Sequence, residues 1–253
     1  MFKIIFLFIF LLSEISGSRV QPRVVGGVPV QNGSYPYVVS LKNKFNGDFY
    51  CTGTLISNKF VLTTAHCLAP PKFMVVGMES VELSQQKHYE TDKNFPYPKF
   101  DYSVINEDDI ALVRLKKPVE FIKPERYPYF SYDKNDENDL NVTVLGWGQT
   151  GKESPISSTL LKLDKKTMND GDCEKFLPEQ INVGPGQICT PTSTDSGMCY
   201  LDSGSPLLLE GNDKNYVIGI SSWSPKPCGF GVPDVFTKVS YYSDWIEETI
   251  KNN

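Results

Sequence analysis

The chain has 253 residues, 40% of them hydrophobic and 22% charged, enough apolar material for a sizeable core in one or two domains. Its formal net charge is −5 at pH 7, which argues against a nucleic-acid partner, because such binders usually present a basic face. Beyond Leu12 no segment is apolar for long enough to span a bilayer, so no membrane partner is expected.

The chain opens with MFKIIFLFIFLLSEISGS, in which Lys3 precedes an apolar run from Ile4 to Leu12 and Ser16, Gly17 and Ser18 follow. A positive start, a short apolar stretch and small residues mark a secretory signal peptide over residues 1–18. So short a run cannot cross a hydrocarbon core of about 30 Å. The expected product is secreted and extracellular. Losing residues 1–23 removes Lys3, Arg19, Arg23 and Glu14 and leaves the mature chain near −7.

Past residue 30, short β-rich runs alternate with Gly, Pro, Asn and Asp. The candidate strands are Tyr37–Leu41, Tyr50–Ile56, Phe60–Thr64, Phe73–Val76, Ile110–Leu115, Val142–Gly146, Leu160–Leu163, Pro206–Leu209, Tyr216–Ser221 and Asp234–Val239. Many short strands with turn signals between them indicate a barrel or sandwich. Between Lys116 and Asn141, Pro118, Pro124, Pro128 and the run DKNDENDLN mark a linker and an exposed loop. Only the C-terminus reads clearly as helix, with Tyr242, Trp245, Ile246, Thr249 and Ile250 on one face.

Six cysteines, Cys51, Cys67, Cys173, Cys189, Cys199 and Cys228, in an exported chain argue for three disulfides, with the pairing open. Zinc is the competing reading, but there is no CxxC pair and there are only two histidines. The chemistry concentrates around Ser203 in CYLDSGSP. A serine hydroxyl is a poor nucleophile at neutral pH and needs an adjacent base. Imidazole is the side chain that titrates near neutrality, and His66 follows a β-run and adjoins Cys67. His88 reads as merely exposed or structural. Asp109 opens the strand IALVRL and is the expected orienter of His66, with Asp108 as the fallback within Glu107-Asp108-Asp109.

Read together, QPRVVGG (Gln21–Gly27), TTAHC (Thr63–Cys67), DIALVRL (Asp109–Leu115), VLGWG (Val144–Gly148), DSGSP (Asp202–Pro206) and SSWS (Ser221–Ser224) closely resemble the trypsin/chymotrypsin family of secreted serine proteases. The resemblance covers residues 24–250. It implies an all-β fold of two packed six-stranded antiparallel β-barrels with a C-terminal α-helix. It divides the chain into a signal peptide (1–18), an activation propeptide (19–23) and a protease domain (24–253), with barrels at about 24–128 and 129–253. It implies a catalytic His66, Asp109 and Ser203, with an oxyanion hole from the backbone of Leu201 and Ser203. Cleavage after Arg23 would free Val24 to pair with Asp202. The implied disulfides are Cys51–Cys67, Cys173–Cys189 and Cys199–Cys228.

For substrate, the resemblance implies an edge at Ser222-Trp223-Ser224 and a primary pocket based on Gly197 beside Met198, with Asp234 on its wall. That pocket pattern is similar to broad-specificity arthropod digestive proteases and implies mixed selectivity for basic, aromatic or large apolar residues. Two positions depart from the family pattern: Leu201 and Ser205 stand where glycine is usual. The alternative to an active endopeptidase is therefore a weakly active or inactive relative that binds or regulates. Asn32 and Asn141 head glycosylation sequons. Glu79 and Glu82 lie in a loop where some relatives bind calcium, but the ligand pattern is incomplete, so no metal and no cofactor are expected. The expected partners are protein or peptide substrates, an activating protease and protein protease inhibitors, acting on a monomer.

Overall fold

The computed structural model describes residues 27–69, 73–103, 107–132, 138–149, 154–179, 181–193, 197–224 and 231–253. The first half builds a closed barrel in the order β2-β3-β4-β7-β6-β5. Its strands are β2 (Val38–Asn43), β3 (Phe49–Leu55), β4 (Phe60–Thr63), β5 (Met74–Met78), β6 (Lys87–Pro96) and β7 (Ala111–Leu115). Val39, Leu41, Leu55, Val61, Leu62, Val76, Leu112 and Leu115 are fully buried and fill it. Closure leaves no free edge, so all six strands find ladder partners.

The second half is a seven-stranded antiparallel sheet in the order β1-β9-β8-β11-β12-β13-β10. It uses β1 (Val28–Pro29), β8 (Asn141–Gly146), β9 (Leu161–Lys166), β10 (Gln187–Thr190), β11 (Pro206–Glu210), β12 (Asn215–Trp223) and β13 (Asp234–Lys238). Six of these strands stand where the second six-stranded barrel is expected, and β1, from the stretch assigned to the first barrel, adds a seventh by pairing with β9, so this half is a seven-stranded sheet. A single bridge between Met168, just past β9, and Cys189 in β10 links the sheet's far end back to its other side.

The halves share one core. Trp147, Leu160, Leu208, Val217, Val239 and Ile246 pack in the same cluster as the first barrel, and the Trp147 indole donates to the Val81 carbonyl across the junction (2.7 Å). The C-terminal helix α2 (Ser243–Lys251) follows a short 3-10 turn, Val239–Tyr242. Tyr242 and Ile246 are buried, with Trp245 and Ile250 half-buried, as the sequence periodicity expects. Tyr97 of the first half meets both Tyr242 and Trp245 edge-on, so the last helix clamps the halves together.

All ten expected strands form. The ones not expected are β1, β6 and β10, together with the helix α1 (Asp170–Phe176). The sequence of β6, KHYETDKNFP, is polar and largely exposed, and it is held by backbone pairing to β5 and β7 rather than by an apolar face. In α1, only Cys173 is buried, and the helix begins where the Asn169 side chain accepts the Asp172 N–H.

Candidate active site

His66 sits at the turn that follows β4, and the Cys51–Cys67 disulfide ties its neighbour to β3. Asp109 lies two residues before β7, which is paired to β4. That pairing brings the two residues together. The Asp109 carboxylate accepts the His66 backbone N–H at Oδ1 (3.0 Å), and its Oδ2 lies 2.7 Å from the imidazole Nδ1. Ser222, at the end of β12, donates its hydroxyl to the same Oδ2 (2.6 Å). Thr237 donates to the Asp109 carbonyl (2.9 Å). Only 1% of Asp109 is exposed, so nearly all its acceptor capacity is spent on three aimed donors.

Asp108 takes a different partner. Its φ of 56° turns the chain, and its carboxylate accepts the Tyr242 hydroxyl (2.9 Å). Burial first, and then that carboxylate, push the Tyr242 phenol well above its ordinary range. The adjacent acids are thus split between two jobs, with Asp109 on the imidazole and Asp108 on the C-terminal clamp.

Ser203 arrives on the loop between Cys199 and β11. The loop is pinned from several sides: the Ser203 carbonyl accepts from Thr52 (2.8 Å), Gly204 donates to Ser221 (2.9 Å), and Ser205 donates to Asp202 (3.0 Å). Gly204 has φ +79°, and a Cβ there would lie 2.1 Å from the Thr52 carbonyl oxygen. No other residue fits so close a crossing of the two halves. Asp202 is buried behind the loop and accepts backbone N–H groups from Gly148 and Cys199, both at 3.0 Å. A Cβ on Gly148 would collide with that carboxylate at 2.2 Å, which explains the glycine in VLGWG. Leu201 occupies the left-handed region (φ 68°) with 36% exposure. Non-glycine residues there carry strain of roughly 1–2 kcal/mol.

His66, Met198, Cys199, Tyr200, Leu201, Ser203, Ser221, Ser222, Trp223 and Ser224 line one cleft of about 290 Å³. Of the site residues read from the sequence, His66, Met198, Leu201, Ser203, Ser222, Trp223 and Ser224 line this cleft, Asp109 joins it through its contact with His66, and Gly197, Asp202 and Asp234 are not among its lining residues. A Cβ on Gly197 would lie 3.5 Å from the Asp234 carboxylate. That carboxylate is 1% exposed and not open to the cleft. Oδ1 accepts from Ser224 (2.9 Å), while Oδ2 accepts from the Met198 N–H (2.9 Å) and from the Lys165 ammonium (2.7 Å). Lys165 was not among the residues expected at the site.

The remaining candidates fall into place around this centre. Cys173–Cys189 joins α1 to β10, and Cys199 is disulfide-bonded; Cys228 lies outside the described residues, as do Arg23 and Val24. Among the described residues the one cluster with metal-ligand character is Cys51, His66 and Cys67, and its two sulfurs are bonded to each other. In the Glu79–Glu82 loop, Glu79 is held by Lys87 (2.8 Å) and by the Tyr89 hydroxyl. These two bonds, Lys87 first, hold its carboxyl below the usual range. Glu82 makes a turn with Ser80 instead, its N–H on the Ser80 hydroxyl (3.1 Å). Asn32 and Asn141 are both exposed.

Comparison with known proteins agrees with this geometry. Residues 24–246 match the family model described as Trypsin. Kallikrein 1-related peptidase-like b4 of Mus musculus is 32% identical over 98% of this chain and 99% of its own. Melanization protease 1 of Drosophila melanogaster is 29% identical over 93% of this chain and 67% of its own. The solved structure of neuropsin, a serine protease expressed in the limbic system of mouse brain, superimposes with a TM-score of 0.78 at 25% identity, covering 88% of this chain and 98% of that one. With a family match over most of its length and that fold, the chain belongs to the trypsin family of serine proteases and is a serine endopeptidase.

Proposed function

We propose that the protein is a secreted endopeptidase, made as a zymogen, that cuts peptide bonds through Ser203, His66 and Asp109. The observation that carries this reading is the arrangement of three donors on the buried Asp109 beside a cleft shared by His66 and Ser203. With Nδ1–H directed at Asp109, the other ring nitrogen is left as the acceptor for the Ser203 proton. Ser203 Oγ then attacks the scissile carbonyl, and His66 returns the proton to the leaving amine. The backbone N–H groups of Leu201 and Ser203 would hold the developing oxyanion, each such donor being worth about 10²–10³ in rate. The edge at Ser222-Trp223-Ser224 would bind the substrate as an added strand, a backbone mode that tolerates many sequences.

Activation by cleavage after Arg23 would place the new Val24 ammonium on Asp202. That pairing raises the amino pKa above its unpaired value of about 7.7–8.0. The active form is then fully held below that range and is lost as pH rises through the raised value. The test is limited proteolysis of the secreted protein with N-terminal sequencing. Activity that appears together with a Val24 N-terminus, and that Arg23→Gln abolishes, is expected; full activity in Arg23→Gln would contradict the scheme.

Leu201 tunes this machinery rather than disabling it. Its strained φ fixes one geometry for the oxyanion loop, and its exposed side chain projects at the cleft. Leu201→Gly should relieve that strain of roughly 1–2 kcal/mol, partly offset by the roughly 0.5–1 kcal/mol that glycine's freedom in the unfolded chain costs. It should also shift turnover and protein-inhibitor affinity, measured as kcat and Ki. If both stay unchanged, Leu201 has no such role.

A further inference from the structure

The acidic group behind the cleft already has a cation. Asp234 bonds three donors, and the one carrying charge is Lys165 of β9. Both side chains are almost fully buried, at 3% and 1% exposure. Two of the three contacts belong to the wall itself, because Met198 and Ser224 line the cleft. The Lys165 ammonium, from β9, shares Oδ2 with the Met198 N–H and is not among the lining residues. Among the described residues its only hydrogen-bond partner is Asp234.

We propose that Lys165 determines specificity by serving as a built-in counterion, so that the cleft beside Ser203 accepts neutral side chains and rejects lysine and arginine. The inference rests on the reading of that cleft as the peptidase site. An isolated carboxylate behind the wall would draw a basic substrate group, since a buried unpaired charge is costly. A carboxylate that already holds an ammonium at 2.7 Å offers no such gain. To bond it, an incoming guanidinium must expel Lys165 and leave that ammonium buried without a partner. His66 is the one ionisable side chain among the described lining residues besides the Tyr200 phenol. Met198, Trp223 and the disulfide-bonded Cys199 supply polarizable apolar surface instead. The mixed selectivity expected from the sequence thereby loses its basic arm and keeps its aromatic and apolar one.

The test compares kcat/KM on peptides matched except for Arg, Lys, Phe or Leu before the cut, in the wild type and in Lys165→Met. The wild type should favour Phe or Leu over Arg by about 100-fold or more, the scale on which an apolar pocket discriminates between side chains. Lys165→Met should raise Arg cleavage relative to Phe at least about tenfold, by freeing a charge-assisted acceptor. It should also acquire benzamidine binding that the wild type lacks, and Lys165→Met/Asp234→Asn should lose that binding again. A wild type that cuts after Arg as well as after Phe overturns the proposal, even if Lys165→Met does not fold. So does a folded Lys165→Met with an unchanged Arg-to-Phe ratio or no benzamidine binding. Titration with a serine-directed phosphonate separates the two levels: no reactive Ser203 refutes the peptidase reading, while benzamidine calorimetry on both proteins still decides the role of Lys165.

Discussion

Asp109→Asn is expected to lower kcat by about 10⁴-fold, the loss characteristic of this triad when the acid can no longer fix the tautomer. Three donors converge on the Asp109 carboxylate: the His66 backbone N–H, the imidazole Nδ1–H and the Ser222 hydroxyl. An asparagine offers one oxygen and one NH₂ in the same space. If its oxygen stays on the backbone N–H, its NH₂ faces Nδ1, and the ring must carry its proton on Nε2, the nitrogen proposed to take the proton of Ser203. That tautomer cannot accept the serine proton. Asp108→Asn is the control, because Asp108 accepts from Tyr242 and not from His66. Its effect on kcat should stay within a few-fold, though it loosens the C-terminal clamp. Steady-state kinetics corrected for titrated active sites checks both. A larger loss at Asp108 than at Asp109 would reverse the assignment.

The second large effect is on stability. Asp234→Ala removes the one hydrogen-bond partner that the Lys165 ammonium, itself nearly buried, has among the described residues. Stranding one member of a buried ion pair costs about 3–5 kcal/mol. Replacing both, as Lys165→Met/Asp234→Leu, removes the charge problem altogether and should fall within about 1 kcal/mol of the wild type or exceed it. Urea denaturation with the disulfides intact gives the two values. A double variant as unstable as Asp234→Ala would mean that packing around Met198 and Ser224, rather than charge, sets the cost.

The sequence carried the site's chemistry better than its wiring. TTAHC, DIALVRL and DSGSP are local signals, because each residue's role depends on neighbours a few positions away. The choice between Asp108 and Asp109 was not local: it depends on the left-handed turn at Asp108 and on a tyrosine 134 positions later. Ser222 was legible as a strand edge, but its hydroxyl contact with Asp109 spans 113 positions. Lys165 left a signal that went unread. In LKLDKK the buried face is Leu161, Leu163 and Lys165, while Asp164 and Lys166 face outward. Alternation carried one step further places a lysine inside the sheet, where it requires an acid. Strand β6 and helix α1 escaped for a different reason, since each is held by backbone bonds or a cap rather than by an apolar stripe.

The most direct test is covalent. After activation, the protein is treated with a serine-directed fluorophosphonate and digested, and the adducts are located by mass spectrometry. A stoichiometric adduct confined to Ser203, forming orders of magnitude more slowly in His66→Ala, is the expected result. A folded, activated protein that leaves Ser203 unlabelled, or labels it equally fast without His66, would contradict the Ser203–His66–Asp109 assignment.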